Sequence, residues 1–151
     1  MTSVTLDELG ISQAINESGD YEAAKPKLYS MDRATQGREM NHLGSAPEIS
    51  IGSVHAITED GKVVIVSRSG SQLPGYVYGS QKVIWVVGVQ KIVKDLDDAM
   101  TRINEHVLPM ESERARIAYG VDGSSVDKIL IFNRERPGRI TIVLINDSIG
   151  Y

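Results

Sequence analysis

ISIGSVHAITEDGKVVIVSRSGSQLPGYVYGSQKVIWVVGVQKIV, residues 49–93, decides the fold. Glu48–Val54, which leads into it, alternates and carries β-branched residues, as a half-buried strand does. Lys62–Ser67 is a continuous apolar run. Between the two, Thr58-Glu59-Asp60-Gly61 places Asp-Gly between β-rich segments, the strongest short hairpin signal. A Gly/Ser/Pro loop fills Ser67–Gln81, and Lys82–Val87 then has the composition of a buried strand that stops at Gly88.

Outward from this block the pattern turns helical. Upstream, Ser3 or Thr5 caps a first helix through Leu6, Leu9, Ile11, Ala14 and Ile15, with Gly19 as its stop. Residues 20–34 are mixed and contain Pro26, and a short helix is expected over Thr35–Leu43 before Gly44. Downstream, Leu96–Val107 keeps Leu96, Ala99, Met100, Ile103 and Val107 on one face. Pro109 opens a further helix that ends at Gly120. Two strands, Lys128–Asn133 and Arg139–Ile145, close the chain, joined by a polar turn at Pro137-Gly138. Helices precede, separate and follow strands, which is the α/β class, and 151 residues suit one domain spanning 1–151.

Composition narrows the function. The net charge of -4 is no basic footprint, so neither nucleic acid nor a membrane surface is the expected partner. No cysteine is present, which removes disulfides, thiolate ligands, a Cys nucleophile and an iron–sulfur cluster carried by this chain. His42, His55 and His106 lack metal-ligand spacing, and no metal or cofactor is expected. The N-terminus has neither a basic nor an apolar signal region, and the longest apolar runs are far too short to span a bilayer, so the expected location is cytoplasmic.

Three turns are candidates for a small anion. In Gly52–Gly61 the structural reading is a hairpin with a polar tip; the functional one brings Gly52, Ser53 and Gly61 near a ligand, with His55 or Glu59 in acid/base work. A lone His beside apolar residues is usually structural, and His55 is read so. Ser67-Arg68-Ser69-Gly70-Ser71-Gln72 is either a connector or a backbone cradle for a carboxylate or phosphate, with Arg68 adding charge. It matches no standard phosphate-loop pattern. Gly88 and Lys91 are either a strand-to-helix connection or a close approach with an anion-holding Lys. Glu111, Glu113, Arg114 and Arg116 have helical ion-pair spacing and are read as a solvated face.

Taken together, TLDELGISQAINESG (5–19), GSVHAITEDGKVVIVSRSGSQLP (52–74), KVIWVVGVQKIVKDLDDAMTRINEHVLPMESERA (82–115), KILIFNRE (128–135) and PGRITIVLI (137–145) resemble the LUD domain family, the lactate-utilisation proteins. The central VVGVQKIV followed by an acidic helix start and LPxExER is the specific part. The resemblance implies a fold similar to the sugar-phosphate isomerase and coenzyme A transferase group, a three-layer Rossmann-like sheet with flanking helices. It implies organic-acid metabolism, L-lactate oxidation to pyruvate, as an accessory or substrate-binding subunit beside iron–sulfur partner subunits. The alternatives are a free-standing isomerase- or transferase-like enzyme on a small anionic metabolite, and a non-catalytic scaffold.

The family positions that fall on this chain are Thr5, Glu8, Gly52, Glu59, Gly61, Gly70, Ser71, Gly88 and Lys91, with Glu111 and Arg114 as a structural clamp. By that resemblance Glu59 is the candidate catalytic residue. The candidate ligand-binding set is Gly52, Ser53, Gly61, Ser69, Gly70, Ser71, Gln72, Gly88 and Lys91. Relatives of this type usually carry a further segment before the SVTLDELG helix. The resemblance therefore sets the expectation of an N-terminally short domain, an exposed sheet edge and a homo-oligomer that covers it.

Overall fold

The computed structural model describes residues 3–151. Its strands divide between two sheets. Strands β1 (Ile49–Gly52), β4 (Lys82–Gly88) and β7 (Ile140–Ile145) form a parallel sheet in the order β1-β4-β7. Strands β2 (Ala56–Thr58), β3 (Val63–Ser67), β5 (Ile92–Val93) and β6 (Lys128–Phe132) form a mixed sheet in the order β5-β2-β3-β6. The α/β class is as expected, with the all-parallel sheet as its Rossmann-like part.

The Asp-Gly signal is a real hairpin. β2 and β3 pair antiparallel, and the N–H of Gly61, at φ +87, donates to the carbonyl of Thr58 at 2.8 Å. Alternation along β3 then builds two cores. Val63 and Ile65 face the parallel sheet, joining Val54, Tyr76, Val83, Trp85 and Val87. Trp85 is the hub: its ring meets Tyr76 edge-on at 5.6 Å between centroids and Phe132 at 5.1 Å. Val64 and Val66 face the other way, onto Ala99 and Ile103 of the long helix. A strand buried on both faces reads as an unbroken apolar run, which is what Lys62–Ser67 shows.

Several elements depart from expectation. The first helix is broken at Gly10 (φ +69) into α1 (Val4–Glu8) and α2 (Ile11–Glu17), with Ser3 accepting from the N–H of Leu6 as the N-cap. Residues 20–34 are not irregular throughout: α3 (Ala24–Ser30) places Pro26 in its first turn, where no N–H is needed. α4 (Arg33–Ser45) exceeds the expected span by a first turn that Asp32 caps, accepting from Ala34 N–H at 3.0 Å, and that a kink at Gln36 (φ -118, ψ 17) joins to the rest.

The long helix is one rod, not two helices split at Pro109. α5 (Leu96–Arg102), a π-helical turn at Ile103–Val107 and α6 (Leu108–Tyr119) run on without leaving helical backbone angles. The wide turn lies directly before Pro109, whose ring lacks an N–H and crowds the carbonyl one turn back. Asp95 caps the start and Gly120, at φ +64, ends the rod as expected. The Pro137-Gly138 turn joins β6 and β7 without pairing them, since β6 lies beside β3 and β7 beside β4.

That turn delivers Arg139, which is buried, to the loop after β3. A π-helical turn, Gly75–Gly79, forms where only an irregular loop was expected. Arg139 Nη2 donates to the carbonyls of Tyr76 at 2.7 Å and Gly75 at 3.3 Å, Nε donates to that of Ser80 at 3.2 Å, and Nη1 pairs with Glu135. The turn also packs so closely on the end of α4 that a Cβ at Gly79 would overlap the carbonyl oxygen of Ser45. At the sheet's edge, β7 leaves Ile142, Val143 and Leu144 39%, 41% and 51% exposed.

Replacing Arg139 by Met keeps apolar bulk but strips donors from three carbonyls and a partner from Glu135. Arg139→Met is expected to lower unfolding stability by about 3–5 kcal/mol, read as a lower urea midpoint at unchanged slope. A loss below about 1 kcal/mol, the worth of one ordinary hydrogen bond, would show the cluster to be dispensable.

Candidate functional site

β1 and β4 run parallel, β4 continuing from Trp85, opposite Gly52, to Gly88, and the chain leaving each enters the wall of one cavity. Its volume is about 430 Å³. Open α/β sheets place ligands outside the carboxyl ends of their strands in this way. β1 is followed by Ser53 and His55, and β4 by Lys91; β3 of the second sheet leads into Ser67–Gln72. The inner face of the long helix contributes Glu111 and Arg114, and the chain's two ends contribute Thr5 and Tyr151.

Lys91 closes a short 3-10 turn (Val89–Lys91) after Gly88. Gly88 is required there, because a Cβ would stand 2.9 Å from the carbonyl oxygen of Asp147. The Lys91 side chain is only 1% exposed, and Nζ donates to Thr5 Oγ1 at 3.0 Å and Ser53 Oγ at 3.2 Å. Lys91 forms no ion pair among the described residues. Burial pushes its pKa down to about 8, nearby Arg102 acts in the same direction and Glu8 opposes them.

His55 accepts the N–H of Val66 on Nδ1 at 3.1 Å, so the hydrogen-bond pattern assigns its own N–H to Nε2. Burial pushes His55 down to about 4, with Lys91 adding to the effect and Glu111 opposing it, and the ring is neutral at neutral pH. The structural reading of this residue fits the Nδ1 bond; its place in the cavity wall is the part the sequence did not disclose. Arg102 Nε donates to the His55 carbonyl at 3.1 Å.

Opposite charge is concentrated on the helix. Arg114 grips Glu111 through two hydrogen bonds of 2.6 and 2.7 Å, and the Tyr151 hydroxyl donates to the same carboxylate. Burial pushes Glu111 up, but the Arg114 and Tyr151 hydrogen bonds outweigh it and hold the carboxyl below its ordinary value. The clamp inferred for Glu111 and Arg114 is present, and it faces the cavity. Tyr76 lies in the wall beneath, and its buried hydroxyl has no hydrogen-bond partner among the described residues.

Of the expected ligand set, Ser53, Ser69, Ser71, Gln72 and Lys91 line the cavity. Gly52, Gly61, Gly70 and Gly88 do not line it; Gly52 ends the strand before Ser53, and Gly88 ends the strand before the turn that carries Lys91. In the Ser-rich loop, the N–H groups of Gly70 and Ser71 are already taken by Ser67 Oγ at 2.9 Å and Ser69 Oγ at 3.3 Å. Those two N–H groups are therefore not free to cradle an anion. Glu59 is exposed in the hairpin turn and is absent from the wall. Tyr76 and Tyr151 gave no signal in the sequence, because contacts such as Tyr151 with Glu111 join positions far apart in the chain.

Among the described residues, no group of three or more His, Asp or Glu side chains is placed to hold a metal ion, and no helix is long and apolar enough to cross a membrane. A family model described as the LUD domain matches residues 1–145. No curated protein and no solved structure matches the chain.

His55 sets an acid limb on stability. An unfolded histidine titrates near its ordinary 6.5 and this one near 4, so its contribution is complete above 6.5 and is lost as pH falls toward 4. In His55→Asn the amide oxygen still accepts from Val66. The variant's melting temperature is expected to fall less steeply than the wild type's across that interval; parallel curves would refute the assignment.

Proposed function

Because the chain belongs to the LUD domain family, we propose that it serves organic-acid metabolism by holding a small carboxylate against Lys91, as a substrate-binding or accessory subunit in the use of L-lactate and its oxidation to pyruvate. The family is associated with lactate utilisation. One observation carries the reading: a buried lysine, spared any carboxylate partner among the described residues, stands in a cavity that suits a small metabolite. A buried cation without a counter-ion is costly, and an anionic ligand supplies what the protein withholds. Arg68, in the same wall, spends one N–H on the Gly123 carbonyl and has others to offer.

The chain has no cysteine, so electrons removed from a hydroxy acid pass to another component. Iron–sulfur partner subunits are the proposed recipients. The open apolar edge at Ile142, Val143 and Leu144 supports association, with such a partner or with a second copy of the chain. Glu59 stands outside the cavity, and nothing in the geometry favours it as a base.

Titration calorimetry with L-lactate and with pyruvate tests the reading. Binding is expected for at least one of them, weakened roughly tenfold or more in Lys91→Met and unchanged in Glu59→Gln. Lys91→Met removes a desolvated amine, so its melting temperature is expected to hold. The absence of heat from both acids, alone and with iron–sulfur partners, would sink the reading.

A further inference from the structure

The two acceptors around Lys91 Nζ accommodate a neutral amine as well as an ammonium. An ammonium carries three donors; a neutral amine carries two and a lone pair. Thr5 Oγ1 and Ser53 Oγ take two hydrogens at 3.0 and 3.2 Å, and no third acceptor bonds Nζ among the described residues. The Ser53 hydroxyl, accepting from Nζ, keeps its own hydrogen free to donate to an oxygen beside the amine. At 1% exposure the nitrogen is also withdrawn from bulk water, which would otherwise hydrolyse an imine. Lysines in such desolvated settings act as nucleophiles toward carbonyl compounds, and the lowered pKa of about 8 keeps a usable fraction of free amine near neutrality.

We propose that Lys91 condenses with the carbonyl group of a small 2-oxo acid held in this cavity, forming an imine. The proposal rests on the carboxylate-binding reading above and extends it from a charge contact to a covalent step. The Nζ lone pair attacks the carbonyl carbon, forming the C–N bond as the C=O π bond opens. One amine hydrogen passes to the carbonyl oxygen, to which Ser53 Oγ–H donates a hydrogen bond, and gives a carbinolamine. The C–O bond then breaks, and the oxygen leaves as water with both hydrogens that began on Nζ. No electrons change hands, and neither oxidant nor reductant is needed. A 2-hydroxy acid such as L-lactate has no carbonyl and binds without this step. The chemistry therefore separates the two acids that the cavity is proposed to hold.

The test is reduction by sodium borohydride in the presence of pyruvate, with L-lactate as the parallel sample and calorimetry on the same protein. The intact mass is expected to rise by that of one pyruvic acid less one oxygen atom. Peptide mapping of the wild type should place the increment on Lys91, and Lys91→Arg should lose it. The L-lactate sample should show no increment. Pyruvate that binds without any adduct would overturn the imine and leave the carboxylate reading standing. Neither binding nor adduct would overturn both. An adduct spread over other lysines such as Lys25 and Lys94, with no preference for Lys91, would also overturn the proposal. Mapping the wild type keeps the result decisive even if Lys91→Arg does not fold.

Discussion

The guanidinium of Arg139 is buried, and each of its three nitrogens donates a hydrogen bond. Desolvating a guanidinium is costly unless its donors are matched. Here they are matched by the carbonyls of Gly75, Tyr76 and Ser80 and by the Glu135 carboxylate, the Gly75 oxygen also taking the Ser80 N–H at 3.2 Å. The arrangement solves two problems with one side chain. It fixes the turn against the start of β7, and the turn fixes Tyr76 between Trp85 and the cavity wall. Core, parallel sheet and site therefore meet at one residue.

The cavity's electrostatics follow from that rigidity. Its ionisable groups are not spread evenly. Glu111, Arg114 and Tyr151 satisfy one another on the helix side, while His55 and Lys91 on the strand side are held by neutral partners, a backbone N–H and two hydroxyls. Burial favours the uncharged form of both. The cavity thus has one wall whose charged groups are paired and one whose ionisable groups meet only neutral partners.

Local chemistry made much of this legible. The β2-β3 hairpin, the buried run of β3, the Trp85 strand, the Asp95 cap and the Gly120 stop all follow from residues within a few positions of each other. The separation of β6 from β7 was not legible, because register with β3 and β4 is decided across the chain. Neither was the break at Gly10, since an amphipathic pattern continues over it. In the site, Ser53, Lys91 and the Ser-rich loop were readable as turns after strands. The hydroxyl shell of Lys91 was not, because Thr5 Oγ1 comes from the far end of the chain. Glu59, at the hairpin tip, draws attention in sequence; it is exposed and lies outside the cavity wall.

The π-helical turn at Ile103–Val107 has a consequence for the lengths this segment tolerates. It holds one residue more than an α-helical turn would. Each residue advances a helix by about 100°, so the extra one sets the angular phase between the two halves of the rod. The first half turns Ala99 onto β3, while the second turns Glu111 and Arg114 into the cavity. Deleting one residue here would yield a more regular helix and swing the clamp about a quarter turn away from Tyr151. Substitutions along the exposed side of the rod leave the phase intact. Insertions and deletions do not, so the spacing between Ala99 and Glu111 constrains the protein as firmly as the identity of either residue.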